Sequence, residues 1–263
     1  MKTHYFAEKT WPELQEYVEK NALIILPVGE IEEHTQSLPV DTDSRIAKFL
    51  ADHIADEICE DIPVLVMPTV WAGYTPKAVG KWPGAMRVRP QIFMEYVCDI
   101  CRSIADMGFS KLMMLDCHGQ HNPMLNMVTK LIADEYNYYY AVVGPVALSK
   151  DEFNAVRESE RGGCSHSGEW EASLDLYMNP ELCKPELFTD VDMLKHHTKF
   201  VAGDACFGGQ RVVWSSFGIE TPILGGLGDS SKATAEKGRI ITEAVRKNAR
   251  EFLMDYYFYK KPE

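Results

Sequence analysis

Residues 23–47, LIILPVGEIEEHTQSLPVDTDSRIA, gather Glu30, Glu32, Glu33, His34, Asp41 and Asp43 within fourteen positions of one another. Carboxylates crowded in this way repel unless something positive sits among them. Glu32 and His34 are two residues apart, so in extended chain they point to the same side. Asp43 follows close enough to fold back onto them. Carboxylate oxygens and an imidazole nitrogen are ligands that suit Zn, Mn, Fe or Ni, in contrast to a structural thiolate site. The same spacing also fits a surface loop of solvated acids with Asp43 capping a helix, and spacing alone leaves both readings open.

Two further turns carry chemistry. Asp116-Cys117-His118-Gly119-Gln120-His121-Asn122 is rich in histidine. Gly162-Gly163-Cys164-Ser165-His166-Ser167-Gly168-Glu169-Trp170-Glu171-Ala172-Ser173 is rich in glycine and carries His166. That histidine titrates near neutral pH and can pass a proton, or simply bond to backbone.

The elements that position these turns can be read from pattern. Leu23 to Val28 is an apolar run bounded by Gly29, the pattern of a strand buried in a parallel sheet. Pro63–Met67, Lys111–Leu115 and Tyr139–Val143 read as further strands. Thr10-Trp11-Pro12-Glu13 is a capping box that starts a helix running to about Glu19. Helices are also predicted over Asp43–Cys59, Pro90–Met107, Pro123–Tyr136, Glu152–Ser159 and Ser231–Tyr257. Residues 71–88, with Gly73, Pro76, Gly80, Pro83 and Gly84, form a long loop of the kind usually tied to function. Residues 180–220 show no clear period. Strands alternating with helices predict an α/β fold with a mainly parallel sheet, whose carboxyl edge is where ligands bind. No domain boundary is visible, so 1–263 is read as a single domain.

The 263 residues allow a sizeable core, and the net charge of −12 argues against a nucleic-acid surface. No run is apolar and long enough to span a membrane, and MKTHYFAEKTW has no secretory h-region. The seven cysteines are scattered and odd in number, which fits reduced thiols of a cytoplasmic protein.

Four segments together resemble the creatininase (creatinine amidohydrolase) family. Leu26-Pro27-Val28-Gly29, Glu32, His34, Leu38-Pro39 and Thr42-Asp43 follow the family's first signature in order and spacing. Asp116-Cys117-His118-Gly119-Gln120-His121 stands for NGHGGN, and His166 to Ser173 for HAGexETS. Gly228-Asp229 with Ala233-Thr234-Ala235-Glu236-Lys237-Gly238-Arg239 meets the fourth. The resemblance implies a three-layer α/β sandwich and a hydrolase in which a water bridges two divalent metals, zinc ahead of manganese or iron. It places Glu32, Asp43 and His118 on one metal and His34 with a shared Asp43 on the other. The last ligand falls to Gln120, where creatininase has Glu, or to Glu171. A neutral amide is the poorer ligand, so Glu171 is preferred. The resemblance also gives His166 proton transfer and implies a homo-oligomer, usually a hexamer.

Gln120, together with Ser37 and Val79 where the family carries His, argues for a substrate other than creatinine. Trp82, Gln120, His121 and Trp170 are the candidate contacts for a small polar cyclic molecule, although a buried Trp is more often core. The expected reaction is hydrolysis of a C–N bond in a cyclic or formyl amide. Ring-opening C–C hydrolysis of a cyclic diketone, such as a diketo-inositol, is the alternative, and an inactive binding homologue is the second. A nucleotide-binding reading of the Gly225–Gly228 turn lacks the spacing and acid of the fingerprint.

Overall fold

The computed structural model describes residues 4–207 and 222–260. Its centre is a four-stranded parallel sheet in the order β2-β1-β3-β4, with β1 Leu23–Val28, β2 Val64–Val66, β3 Lys111–Asp116 and β4 Tyr139–Val143. All six residues of β1 are buried, as expected for a strand with neighbours on both edges and helices on both faces. Pro27 is tolerated there. The N–H groups of Leu23 and Gly29 and the carbonyl of Pro27 face the β2 side. Pairing to β2 stops at Ile25↔Val66, so the missing Pro27 donor falls past its end.

The period of two divides the core into two layers. Leu23 and Ile25 face one side, with α2 (Thr42–Ile58), α6 (Glu169–Met178) and α7 (Ala235–Phe258). Ile24, Leu26 and Val28 face the other, against α3 (Pro90–Asp106) and α4 (Asn122–Tyr136). Phe93, Leu50, Ile54 and Ile58 are among the fully buried side chains. Each such residue contributes roughly 1.5–3 kcal/mol relative to exposure. The predicted three-layer α/β sandwich is the fold observed.

Helix α1 (Trp11–Glu19) starts as predicted, with the Glu13 carboxylate accepting from Thr10 N–H at 2.7 Å. Two helices differ from expectation. The one predicted over Glu152–Ser159 is α5, Pro145–Asn154. Pro145 follows Gly144 and presets the first turn, and the chain leaves the helix beyond Ala155. Helix α7 begins at Ala235, because the Thr234 hydroxyl accepts from Lys237 N–H and caps it there. Within 180–207 the regular pieces are single 3-10 turns at Pro180–Leu182 and Pro185–Leu187; positions 208–220 lie outside the described residues. Cys98 and Cys101 have C-x-x-C spacing but lie buried inside α3.

Val28 pairs with Asp116 at the ends of β1 and β3. The loops carrying Glu30–His34 and Asp116–His121 therefore leave adjacent strands side by side, at the sheet's carboxyl edge. Gly29 makes a further approach possible: a Cβ there would collide with the backbone of Asp43 and Ser44 at the start of α2.

Candidate metal centre

Four elements meet at this edge. The β1 loop brings Glu32 and His34, the first turn of α2 brings Asp43, the β3 loop brings His118, and the turn into α6 brings His166 and Glu171. Asp43 and Glu171 both sit in helix first turns, where the dipole favours an anion. Glu32, His34, Asp43 and His118 are buried, and the Glu171 side chain retains 18% exposure, which leaves the cluster one open side.

The ligand-bearing atoms fall into triads that share residues. Glu32, Asp43 and His118 form one group, and His34, Asp43 and Glu171 another. His118 Nδ1 lies 3.2 Å from Glu32 Oε1 and 3.0 Å from Asp43 Oδ2. His34 Nε2 lies 3.2 Å from Asp43 Oδ1 and 3.7 Å from Glu171 Oε2. The two oxygens of Asp43 thus face different histidines. Gln120 is partly exposed.

Backbone carbonyls decide which imidazole nitrogen faces the acids. His34 Nδ1 is 3.1 Å from Glu32 O, and His118 Nε2 is 3.1 Å from Tyr74 O. A carbonyl only accepts, so those nitrogens carry the protons. Each ring then turns its lone pair toward carboxylate lone pairs, which is stable only if a proton or a cation lies between. The alternatives are visible in the electrostatics. Burial opposes a charged His34, yet the Asp43 carboxylate outweighs it and raises the imidazole to about 9. Burial is likewise overcome in His118 and His166, chiefly by Glu32, and both rise well above the usual imidazole range. Burial pushes Glu171 up to about 7 against the pull of His34. Glu32 Oε2 and His34 Nε2 are buried without a hydrogen-bond partner. Unpartnered donors of oxygen and imidazole type, arranged in triads, fit divalent cations.

His166 lies over this cluster. Its Nδ1 is 3.1 Å from Glu32 Oε1, its Nε2 is 3.7 Å from Glu33 Oε1, and its ring centroid is 4.5 Å from that of His34. Thr35 and Ser167, each next to one of these histidines, have φ of 59° and 57°. Such left-handed non-glycine backbone costs on the order of 1 kcal/mol and clusters at functional sites. At Ser167 it aims the N–H at Glu171 Oε2, 2.7 Å away.

The remaining expected contacts are placed variously. His121 is fully buried, stacks on Phe93 at 4.1 Å, and accepts from Tyr74 N–H at 3.1 Å. Tyr74 is therefore gripped on both sides, by His121 at its N–H and by His118 at its carbonyl. Trp170 packs in the core, 4% exposed, and its indole N–H donates to Ser149 Oγ at 3.0 Å. Both side chains are buried and hydrogen-bonded inside the protein, and their contact with substrate stays a proposal. Trp82 is half-buried beneath the Lys81 ammonium.

Some supporting residues had no role assigned from sequence. Lys237, on α7, is buried and pairs with Glu169 and with Glu158, fixing the start of α6 and hence Glu171. Asp175, one turn past Glu171, accepts from the Thr42 hydroxyl at 2.7 Å and braces the residue before Asp43. These partners are 68 and 133 positions apart, and no local pattern announces them. The Gly73 spacing to Pro76 marked a loop but not the reason for glycine: a Cβ there would strike the His121 ring.

A parallel α/β sheet with acids and imidazoles converging at its carboxyl edge defines a protein built to hold divalent cations. The chain belongs to the creatininase family: the family profile described as Creatininase: Creatinine amidohydrolase matches residues 7–253. As a member it is a metal-dependent hydrolase. It is 26% identical over 201 residues to a 3-dehydro-scyllo-inosose hydrolase of Thermotoga maritima, a match that covers 72% of this chain and only 60% of that protein. It is 25% identical to the creatinine amidohydrolase of Pseudomonas putida, over 92% of this chain and 93% of that one. A mycofactocin precursor peptide peptidase of Mycolicibacterium smegmatis is 26% identical, over 85% and 81%. Among solved structures, a creatinine amidohydrolase (creatininase) superposes with a TM-score of 0.82 at 21% identity, covering 99% of this chain and all of that one. A mutant creatininase of Zn-Zn type gives 0.82 at 21% identity, and a creatininase with Mn gives 0.78 at 21%, each over 98% of this chain and all of the other. At such identity these structures carry the fold.

Proposed function

We propose that the protein hydrolyses a small polar molecule at a pair of divalent cations that share Asp43, cleaving a C–N bond in a cyclic or formyl amide. The observation that carries this reading is the arrangement of Asp43, with one oxygen facing His34 and the other His118, inside two triads of ligand-bearing groups. Glu32, Asp43 and His118 would hold one cation, and His34, Asp43 and Glu171 the other. Bound there, the ions supply Lewis acidity and lower the pKa of water toward neutrality. Zinc leads manganese and iron as the expected metal, in line with the Zn-Zn and Mn forms of the structural neighbours.

The chain's own groups do the rest. The Glu32 and Tyr74 carbonyls lock the His34 and His118 tautomers, keeping their lone pairs on the cluster. His166 takes a proton and returns it to the leaving group; it stands beside Glu32 with its other nitrogen toward Glu33. Glu171 is assigned ligation and a part in the chemistry; burial lifts its carboxyl to about 7 without a cation, and a bound cation would hold it ionised. Trp82, Gln120, His121 and Trp170 are the proposed contacts for substrate, the first two partly exposed and the last two buried.

A second reading is ring-opening C–C hydrolysis of a cyclic diketone. The relative named as an inosose hydrolase and the amide at Gln120 favour keeping it. We further propose one domain over 1–263, a homo-oligomer that is hexameric by family resemblance, and a cytoplasmic location; among the described residues no helix is long and apolar enough to cross a membrane. The test is turnover of a panel of cyclic amides, formyl amides and cyclic diketones by stripped and reloaded protein. Turnover only after reloading supports the proposal, and full turnover by metal-free protein refutes it.

A further inference from the structure

Behind the turn that carries His166 lies a second cluster, made by Cys164, Asp204, Cys206 and Arg157. The two sulfurs touch, at 2.9 Å, and both cysteines are buried. Asp204 organises them. Its Oδ2 accepts from Gly162 N–H at 2.8 Å and Cys164 N–H at 3.0 Å, and its Oδ1 from Cys206 N–H at 2.9 Å. Ala205 N–H adds a bond to Cys164 O at 2.8 Å. One carboxylate thus fixes the backbone of both cysteines with their side chains in contact.

The ligand types of this group invite a cation, but its charges do not. The Arg157 fork reaches both Asp204 oxygens, at 3.2 and 3.0 Å. With the three backbone donors, the carboxylate has no side left for a metal, and a fixed positive charge stands beside it.

The geometry points to Cys164 and Cys206 as a pair that closes into a disulfide, a covalent modification site separate from the cation centre. The contact distance is within about 1 Å of a sulfur–sulfur bond of ~2.05 Å, so closure asks little of the surrounding chain. Cys206 is the half that a reagent meets first: both its neighbours, Ala205 and Phe207, are exposed, whereas Cys164 lies between buried Gly163 and half-buried Ser165. The co-reactant is a small organic disulfide. The Cys206 thiolate attacks one of its sulfurs, forming a mixed disulfide and releasing one small thiolate. The Cys164 thiol then gives its proton to solvent and attacks Cys206 Sγ, releasing the second small thiolate. Two protein thiols are oxidised, one small disulfide is reduced to two thiols, and electrons and protons balance. The bond would tie the 204–207 segment to the turn that ends in His166.

The test is incubation of the full-length protein to its end-point in oxidised glutathione, followed by acid quench, alkylation, proteolysis under non-reducing conditions and mass spectrometry. The expected result is one cross-linked peptide pair joining Cys164 to Cys206, with two of the seven thiols lost to it. In Cys164→Ser the pair is absent and Cys206 carries a glutathione adduct that reductant removes. Both thiols still alkylated at the end-point, an adduct on Cys206 of the unaltered protein without closure, or either cysteine bonded to another partner would each overturn the assignment.

Discussion

His118 Nδ1 sits 3.0 Å from Asp43 Oδ2, while its Nε2 is held by the Tyr74 carbonyl at 3.1 Å. The carbonyl leaves the ring nowhere else to put its neutral-form proton, so the lone pair is committed to Asp43 and Glu32. His34 repeats the device on the other oxygen of Asp43, with the Glu32 carbonyl as its anchor. A loop carbonyl and a strand-end loop therefore determine which atoms are offered to a cation.

Proton release should accompany loading. Without a cation, burial disfavours the His34 charge but Asp43 holds the imidazole up to about 9, so at pH 7.5 the ring is protonated. A cation displaces that proton. Calorimetric titration of zinc in two buffers of different ionisation enthalpy should give heats that differ by about one proton or more per chain. Identical heats in both buffers would show that the histidines are already neutral.

Gly73→Ala should be costly although it adds one carbon. Its Cβ would enter the His121 ring and approach Glu30, and His121 is clamped against Phe93. Overpacking of this kind costs about 1–3 kcal/mol, and it displaces the Tyr74 peptide that orients His118. Denaturant unfolding should show the loss, and competition with a chelator should show weaker metal retention. Unchanged retention would mean that Tyr74 does not orient the ligand.

Lys237→Ala should be among the more destabilising single changes. It strands the buried Glu169, which burial opposes and Lys237 otherwise holds below the usual carboxylate range. Removing one partner of a buried pair costs about 3–5 kcal/mol. Pairing it with Glu169→Gln removes the orphaned charge and should recover part of the loss. An additive double variant in urea unfolding would deny the coupling.

Asp175 gives a pH signature. Burial lifts its carboxyl to about 6 against the hydroxyl of Thr42, above an unfolded value of about 3.9. Between these values the folded state holds the extra proton, so this residue's contribution to stability falls as pH rises from about 4 to 6 and is constant above. Asp175→Asn, which still accepts from Thr42, should gain on the order of 1–3 kcal/mol at pH 7 relative to its effect at pH 4. A difference between the two proteins that does not change with pH would contradict the assignment.

Much of this architecture was legible in the chain. The apolar run of β1, the Pro-led starts of α3 and α4 and the Gly-bounded turns carry strong local physics, and their boundaries fell within a residue or two. The cluster of Glu32, His34, Asp43 and His118 was legible because its members lie in strand-to-helix turns, which a parallel sheet brings to one edge. The start of α5 lies at Gly144-Pro145, a shorter local signal than the charged stretch after it. Lys237, Asp175 and Tyr74 escaped for a different reason: each acts on a residue 40 or more positions away. Tyr74 acts through its backbone, which residue type does not reveal. The burial of Trp170 and His121 was not legible either, because a sequence does not say which face of a ring is covered.

The most direct measurement is the metal-to-chain ratio of protein supplied with zinc and freed of loosely bound ions, for the unaltered chain and for Glu171→Ala and Asp43→Ala. A shared Asp43 predicts about two ions per chain, falling to about one in Glu171→Ala and close to none in Asp43→Ala. A ratio of one in the unaltered protein, indifferent to Glu171→Ala, would contradict the two-cation centre.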